Sequence, residues 1–181
     1  MRIEERITGR KKEDLCSIVV DTIQALRKSL EAVVIESSAD SSASKQLKNH
    51  MFNQLINDGW RPQFKISKEV SEAYPLANYI VDSMHDFLSE KCNHTHRFFV
   101  EFCFDNRQAI GANILKFEVA CRAAVESNYL PVPVLVCADT EALKHFGWDA
   151  SIAGASEYEY ALRVVYRDIM LYPPIILALQ N

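Results

Sequence analysis

The order of predicted secondary-structure elements favours an α/β fold, in which a mixed β-sheet is flanked by helices. Two amphipathic segments come first, several short extended segments follow, and helices then alternate with strongly apolar strands to residue 181. Short consecutive strands usually pair antiparallel, whereas strands separated by helices usually pair parallel. We therefore predict one domain over residues 1–181, with antiparallel strands that pass into a more parallel sheet.

The composition limits the function classes. Apolar residues make up 49% of the 181 residues and charged residues 24%, which is typical of a folded domain with a sizeable core. The formal net charge of -4 excludes a global positive field that would attract nucleic acid. The five glycines form neither GxGxxG nor GxxxxGK[ST], which disfavours a dinucleotide site and a P-loop.

The cysteines indicate a reducing compartment. All five are widely spaced, none forms a CxxC pair, and no signal peptide precedes the first helical segment. The apolar runs, such as residues 130–138, are much shorter than a membrane span. The sequence therefore predicts a cytoplasmic protein without a membrane partner.

The first part of the chain is predicted to be helical. Residues 1–36 form an N-terminal helical segment, in which apolar residues recur at steps of three and four between Lys12 and Ile35. Residues 37–44, SSADSSAS, are predicted to be a mobile linker. A second helix follows and ends at Asn57-Asp58-Gly59, a typical helix stop.

The rest of the chain alternates between strands and helices. Residues 62–66, 77–82 and 84–89 are candidate strands, and residues 97–104, RFFVEFCF, are the clearest strand. Asn106 is expected to cap a helix over residues 107–127, before a buried strand over 130–138. A short helix over 140–146, a helix over 158–170 and a last strand over 174–179 complete the prediction. The buried stripe of the 107–127 helix is expected to be Ile110, Ile114, Phe117, Cys121 and Val125.

Two acidic residues stand out on apolar strands. Alternation along residues 97–104 directs one set of side chains to each face of the sheet, and Glu101 shares its face with Phe99 and Cys103. Asp86 lies on the preceding candidate strand, and a hairpin through residues 91–96 would bring it near Glu101. Two converging carboxylates suit a hard divalent cation such as Mg²⁺, and the backbone carbonyl of Phe102 could complete the protein ligands.

The residues around these acids resemble the BglII-type restriction endonucleases, of the PD-(D/E)xK nuclease superfamily. The resemblance runs over roughly residues 45–181 and includes MFNQLINDGW, HDFL, FFVEFCF-DNRQAIGANILKFEVA and PVPVLVCADTEALKHFG. It implies a restriction-endonuclease-like core and Mg²⁺-dependent hydrolysis of double-stranded DNA at a specific sequence, with Mn²⁺ as a substitute. It also implies a homodimer and a cognate DNA methyltransferase.

The resemblance also implies roles for particular residues. Asp86 matches the metal-binding aspartate and Glu101 the first acid of the E-x-(K/Q/E) motif. Cys103 stands at the third motif position, where the family has Lys, Gln or Glu. A thiol is a soft ligand that suits Mg²⁺ poorly, so Lys116 on the following helix is a candidate replacement.

Contacts to DNA are expected from basic side chains in the same region. The candidates are Arg97, Arg107, Lys116 and Arg122, and by analogy with the family the 149–157 loop would read bases. Because of Cys103, a second interpretation remains: a catalytically inactive DNA-binding or interaction protein descended from the nuclease fold. A third is an unrelated α/β protein with accidental acids.

The CNHTH segment suggests zinc only weakly. Cys92, His94 and His96 have no evident fourth ligand, and their spacing is not that of a structural zinc site. A solvated hairpin tip is the preferred interpretation.

Overall fold

The computed structural model describes residues 1–9, 15–33, 43–65, 80–89 and 94–180. In these residues six strands form one sheet in the order β1-β6-β5-β4-β3-β2. The central strands β4, β5 and β6 are parallel, while β1, β3 and β2 add antiparallel pairs at the two sides. The strands are β1 (Arg2–Ile7), β2 (Arg61–Lys65), β3 (Ile80–Ser89), β4 (His94–Phe102), β5 (Leu130–Ala138) and β6 (Ile175–Gln180). The predicted mixed sheet is therefore confirmed.

Helices cover both faces of the sheet. They are α1 (Ser17–Glu31), α2 (Ala43–Asn57), α3 (Ile110–Glu126), α4 (Thr140–His145) and α5 (Ala155–Tyr160). Buried side chains of α1, α2 and α4 form one apolar cluster with one face of the sheet. Buried side chains of α3 and α5 form a second cluster with the other face. The sheet is thus the middle layer of three.

Strand β4 shows why the sequence folds in this way. Phe98, Val100 and Phe102 belong to the cluster with α1 and α2, whereas Phe99 and Cys103 belong to the cluster with α3. This alternation is the one predicted from period-two patterning. Strand β5 is buried at every position after the first, as the apolar run over 130–138 predicts.

The end of α2 is also as predicted. The helix ends at Asn57, and Gly59 adopts a φ of 86°, a conformation that residues with a Cβ rarely adopt. The Trp60 amide donates to the Leu55 carbonyl at 2.9 Å and the Gly59 amide to Ile56 at 3.0 Å. These bonds satisfy carbonyls at the helix end and direct the chain into β2.

The structure differs from the prediction at four places. Residues 2–7 form an edge strand paired with β6, where the helical segment 1–36 was expected to begin. Residues 80–89 form one strand rather than two. The break predicted at the polar Ser83 is absent, and Ser83 is instead buried in the ladder opposite Val100. The helix predicted over 158–170 begins earlier, at Ala155, and ends at Val165, after a single π-helical turn over residues 161–165. Val125 of α3 is 43% exposed, because the smaller Ala120 and Ala124 form the buried side.

Some predictions fall outside the described residues. The linker 37–44 lies there except for Ala43 and Ser44, which belong to α2. Cys92, and residues 77–79 of a candidate strand, lie there as well. None of the helices in the described ranges is long and apolar enough to cross a membrane.

Candidate active site

The site begins where β3 and β4 separate. Their antiparallel ladder runs to the pair Ser83–Val100, and the next two residues in that register are Asp82 and Glu101. Both carboxylates accept hydrogen bonds from backbone amides of the neighbouring strand. The Asp82 amide donates to Glu101 Oε2 at 3.1 Å, and the Phe102 amide donates to Asp82 Oδ2 at 2.9 Å. The two carboxylates therefore lie side by side at the C-terminal end of β4.

Glu101 is the more buried of the two acids. Its side chain is 5% exposed, and its Oε1 accepts a short hydrogen bond from Lys116 Nζ of α3. Burial raises the pKa of Glu101 to about 7, and the Asp82 charge adds to the shift, against the opposing effect of Lys116. A buried carboxylate with a raised pKa beside a second carboxylate is a common feature of catalytic sites.

A second lysine reaches the site from the opposite face of the sheet. Lys48 of α2 donates from Nζ to Asp82 Oδ2 at 2.9 Å and to the Phe102 carbonyl at 3.2 Å. Partial burial of Lys48 opposes its charge, but Asp82, Glu101 and Asp105 outweigh this and raise the pKa of Lys48. The site thus contains two carboxylates and two ammonium groups.

The donor set suits a hard divalent cation. Asp82 and Glu101 supply carboxylate oxygens, and the carbonyl of Phe102 is directed to the same place, as its contact with Lys48 shows. Oxygen atoms of this kind are the ligands that Mg²⁺ and Mn²⁺ prefer. Of the predicted metal ligands, the structure brings Glu101 and Phe102 together with Asp82.

Asp86 lies elsewhere on β3. It faces Arg97 in the ladder, and its two oxygens accept from the Arg97 guanidinium at 2.7 and 2.8 Å. The guanidinium carbon lies 3.5 Å from the centre of the Tyr129 ring. Arg97 and Glu101 are four residues apart on β4, which corresponds to roughly 13 Å along a strand. Asp86 is thus held in an ion pair with Arg97, too far along the ladder to share a metal ion with Glu101.

Cys103 is fully buried on the α3 side of the sheet. The Tyr158 hydroxyl hydrogen-bonds to its thiol, and the Asn113 amide donates to the same hydroxyl at 3.1 Å. Burial raises the pKa of Cys103 well above its ordinary value, so the thiol is protonated at neutral pH. Lys116, on the same side of the sheet, extends to Glu101 instead.

The predicted DNA contacts have different environments. Arg97 is largely buried in its pair with Asp86, whereas Arg122 is 59% exposed and pairs with Glu118 one turn earlier on α3. Arg107 forms short bonds to Glu157 and to the Ala150 carbonyl. Its amide also donates to the Ser151 carbonyl at 2.9 Å. Arg107 therefore fastens residues 149–157 at the end of the sheet that carries the site; only residues 149–154 of this predicted loop are a loop, because residues 155–157 form the first turn of α5.

The two histidines of the CNHTH segment both lie on β4 but differ in exposure. His94 is exposed at the start of β4, and His96 is buried. Within the described ranges, no group of three or more His, Cys, Asp or Glu side chains could hold a metal ion.

Sequence reasoning missed Asp82 and Lys48. The identity of the acid beside Glu101 depends on the register of β3 against β4: the register that pairs Asp86 with Arg97 aligns Asp82 with Glu101. No sequence signal marks Lys48, because its position depends on how α2 packs on the sheet.

The six-stranded sheet and its flanking helices have the fold of a restriction endonuclease. The crystal structure of the restriction endonuclease BglII complexed with a DNA 16-mer is similar to this chain, with a TM-score of 0.72 and 14% sequence identity. The similarity covers 100% of this chain and 79% of the BglII chain. No protein-family model and no curated protein matches the sequence.

Proposed function

We propose that the protein is a Mg²⁺-dependent endonuclease that hydrolyses double-stranded DNA at a specific sequence. The observation that carries this proposal is the pair of adjacent carboxylates, Asp82 and Glu101, at the point where β3 and β4 separate in a restriction-endonuclease fold. The similar BglII structure is a complex with DNA, which supports DNA as the substrate.

Asp82, Glu101 and the Phe102 carbonyl would hold the metal ion. Asp82 takes the place that the sequence assigned to Asp86, because only Asp82 lies beside Glu101. When bound, the ion would polarise the scissile phosphate and lower the pKa of the attacking water. The amides of Asp82 and Phe102 fix the two carboxylates in place before any ligand arrives, which reduces the reorganisation needed at the site.

Lys116 would supply the positive charge expected at the third motif position. Cys103 occupies that position but is enclosed between the sheet and Tyr158 as a neutral thiol. The ammonium of Lys116 lies beside Glu101 and is 21% exposed, so it can approach a phosphate oxygen at the mouth of the site. There it would stabilise the negative charge that develops during hydrolysis.

DNA would approach the end of the sheet at which β4 terminates. The 149–157 loop lies there, fastened by Arg107, and is the proposed base-reading segment. Arg122 remains a candidate phosphate contact because its side chain is well exposed. Arg97 is a weaker candidate because Asp86 and Tyr129 enclose it. A homodimer and a cognate methyltransferase remain predictions, and light scattering of the purified protein tests the dimer.

The experiment compares cleavage by matched variants. Purified wild type, Asp82→Asn, Glu101→Gln and Asp86→Asn are incubated with plasmid and genomic DNA in Mg²⁺ or Mn²⁺, after circular dichroism has shown each to be folded. We expect discrete fragments from wild type and Asp86→Asn, and none from the other two. Cleavage that survives Asp82→Asn but is lost in Asp86→Asn would contradict this site.

The second candidate function is DNA binding without cleavage. It is favoured by the enclosure of Cys103 and by the two lysines that already neutralise the carboxylates. Gel-shift experiments distinguish the two functions. A sequence-specific shift without fragments, with Mn²⁺ present, would support the inactive descendant and contradict the nuclease.

A further inference from the structure

We propose that Lys48 acts as an internal cation at this site and that a divalent metal binds only after displacing its ammonium group from Asp82 and Phe102. The inference rests on the proposed function, because it concerns the same metal site. It assigns a role to a residue on α2, which no motif around the two acids includes.

The contacts of Lys48 are those of a cation among metal ligands. Its Nζ lies 2.9 Å from Asp82 Oδ2 and 3.2 Å from the Phe102 carbonyl oxygen, which are two of the three proposed protein ligands. Phe102 is otherwise an apolar residue of β4, buried on the side of α1 and α2. The ammonium group thus occupies a position defined by two oxygens, and not merely a position near a carboxylate.

Simultaneous occupation by Lys48 and a metal ion is unfavourable. A Mg²⁺ ion lies about 2.1 Å from its oxygen ligands and requires near-ideal octahedral geometry. An ammonium group hydrogen-bonded to the same oxygens would place a like charge at the edge of that coordination shell. Because Lys48 is 32% exposed, its side chain has a path away from the site toward solvent. The site is therefore expected to bind metal weakly while Lys48 is in place.

Lys116 provides a matched comparison. It contributes the same charge to the same pair of acids, but its Nζ bonds to Glu101 and approaches from the α3 side of the sheet. Removal of either lysine removes one positive charge from the surroundings of the carboxylates. Only removal of Lys48 also vacates the oxygens of Asp82 and Phe102. A difference between the two variants therefore measures direct occupation and not general electrostatics.

The test is the affinity for Mn²⁺ and Mg²⁺, measured by isothermal titration calorimetry on the DNA-free protein. Wild type is compared with Lys48→Met, Lys116→Met and Lys144→Met, each checked for folding by circular dichroism. Lys144 is 69% exposed and pairs with Glu141 on α4, so it serves as the surface control. We expect Lys48→Met to tighten binding roughly tenfold, as the loss of a competing charged hydrogen bond predicts. Lys116→Met should have a smaller effect and Lys144→Met none.

A second readout follows Lys48 directly in the wild-type protein. Brief acetylation with acetic anhydride, followed by peptide mass spectrometry, reports how accessible each lysine is. Saturating Mg²⁺ should increase the labelling of Lys48 and leave that of Lys144 unchanged.

The outcomes separate the two proposals. The role of Lys48 would be overturned, and the metal site left intact, by either of two results. One is an equal increase in metal affinity in Lys48→Met and Lys116→Met. The other is an unchanged metal affinity in Lys48→Met while wild type binds metal. Weaker binding in Lys48→Met would overturn it as well, because Lys48 would then be a support for Asp82. An absence of metal binding in all four proteins would overturn the proposed metal site, and the role of Lys48 with it.

Discussion

The Asp86→Asn substitution tests whether the Asp86 carboxylate stabilises the fold, in contrast to the Asp82 carboxylate, which we propose as a metal ligand. Asp86 accepts two hydrogen bonds from Arg97, and the side chains of the two residues are only 21% and 14% exposed. Asparagine preserves the shape but removes the charge, and only one of its two terminal atoms is an acceptor. Arg97 would then remain over the Tyr129 ring without its counter-ion.

The size of the effect follows from this geometry. A hydrogen bond to a charged group contributes about 1.5–3 kcal/mol to stability, and the partial exposure of both side chains favours the lower half of that range. We therefore expect the free energy of unfolding to fall by about 2 kcal/mol, which corresponds to a decrease in Tm of roughly 4–8 °C for a chain of this size. Urea unfolding, followed by tryptophan fluorescence, measures the change.

The matched control is Asp168→Asn. Asp168 also forms a bidentate ion pair with an arginine, Arg167, but both side chains are exposed to solvent. Little change in the free energy of unfolding is therefore expected. Mn²⁺ affinity should be the same in wild type, Asp86→Asn and Asp168→Asn. If Asp86→Asn kept full stability and lost metal binding, the assignment of Asp86 to the fold and of Asp82 to the metal would be refuted.

Three further predictions concern the site and its surroundings. The native protein retains a proton on Glu101 that the unfolded chain releases between pH 4.5 and about 7, so metal-free stability should fall as pH rises through this window, by at most about 3 kcal/mol. Glu101→Gln should abolish this fall in urea unfolding series, and an identical pH dependence in both proteins would contradict the raised pKa. Cys103→Gln should lower the free energy of unfolding by about 1–3 kcal/mol and should not increase cleavage, because the longer side chain must displace Tyr158 in a closed core. Increased cleavage would show instead that the side chain at this position reaches the site. Arg107→Ala should weaken sequence-specific DNA binding in gel shifts with little loss of stability, and unchanged specificity would argue against the 149–157 loop as the reader.

The parts of the fold that burial determines could be predicted from the sequence. Strand β5 and the alternation of β4 follow from runs of apolar residues, and Glu101 was found because a charge interrupts such a run. Strand β1 was not predicted because it lies at the edge of the sheet, where one side chain, Ile3, is buried and the remainder of RIEERI is polar or partly exposed. Edge strands bury too little to leave a clear period-two pattern.

The partner of Glu101 was harder to predict for a different reason. A shift of a few residues in the hairpin register changes which acid lies opposite Glu101, and the sequence between β3 and β4 does not fix that register. Asp82 and Asp86 lie four residues apart on one strand and have the same parity, so alternation alone does not distinguish them. Lys48 is separated from Asp82 by 34 residues (82 - 48), and only the packing of α2 on the sheet brings them together.

The pairing of β1 with β6 has a consequence for the order in which the sheet assembles. Arg2 lies opposite Gln180, so this ladder joins residues 178 positions apart (180 - 2), while the β3–β4 hairpin joins near neighbours. Contacts of such long sequence separation form late and slow the folding of a domain. Strand β1 should therefore be the last to dock, and its amides should exchange with solvent hydrogen faster than those of β5. Arg6 is bonded to Asp139, directly after β5, so each opening of β1 also releases a salt bridge at the end of the sheet where β4 terminates.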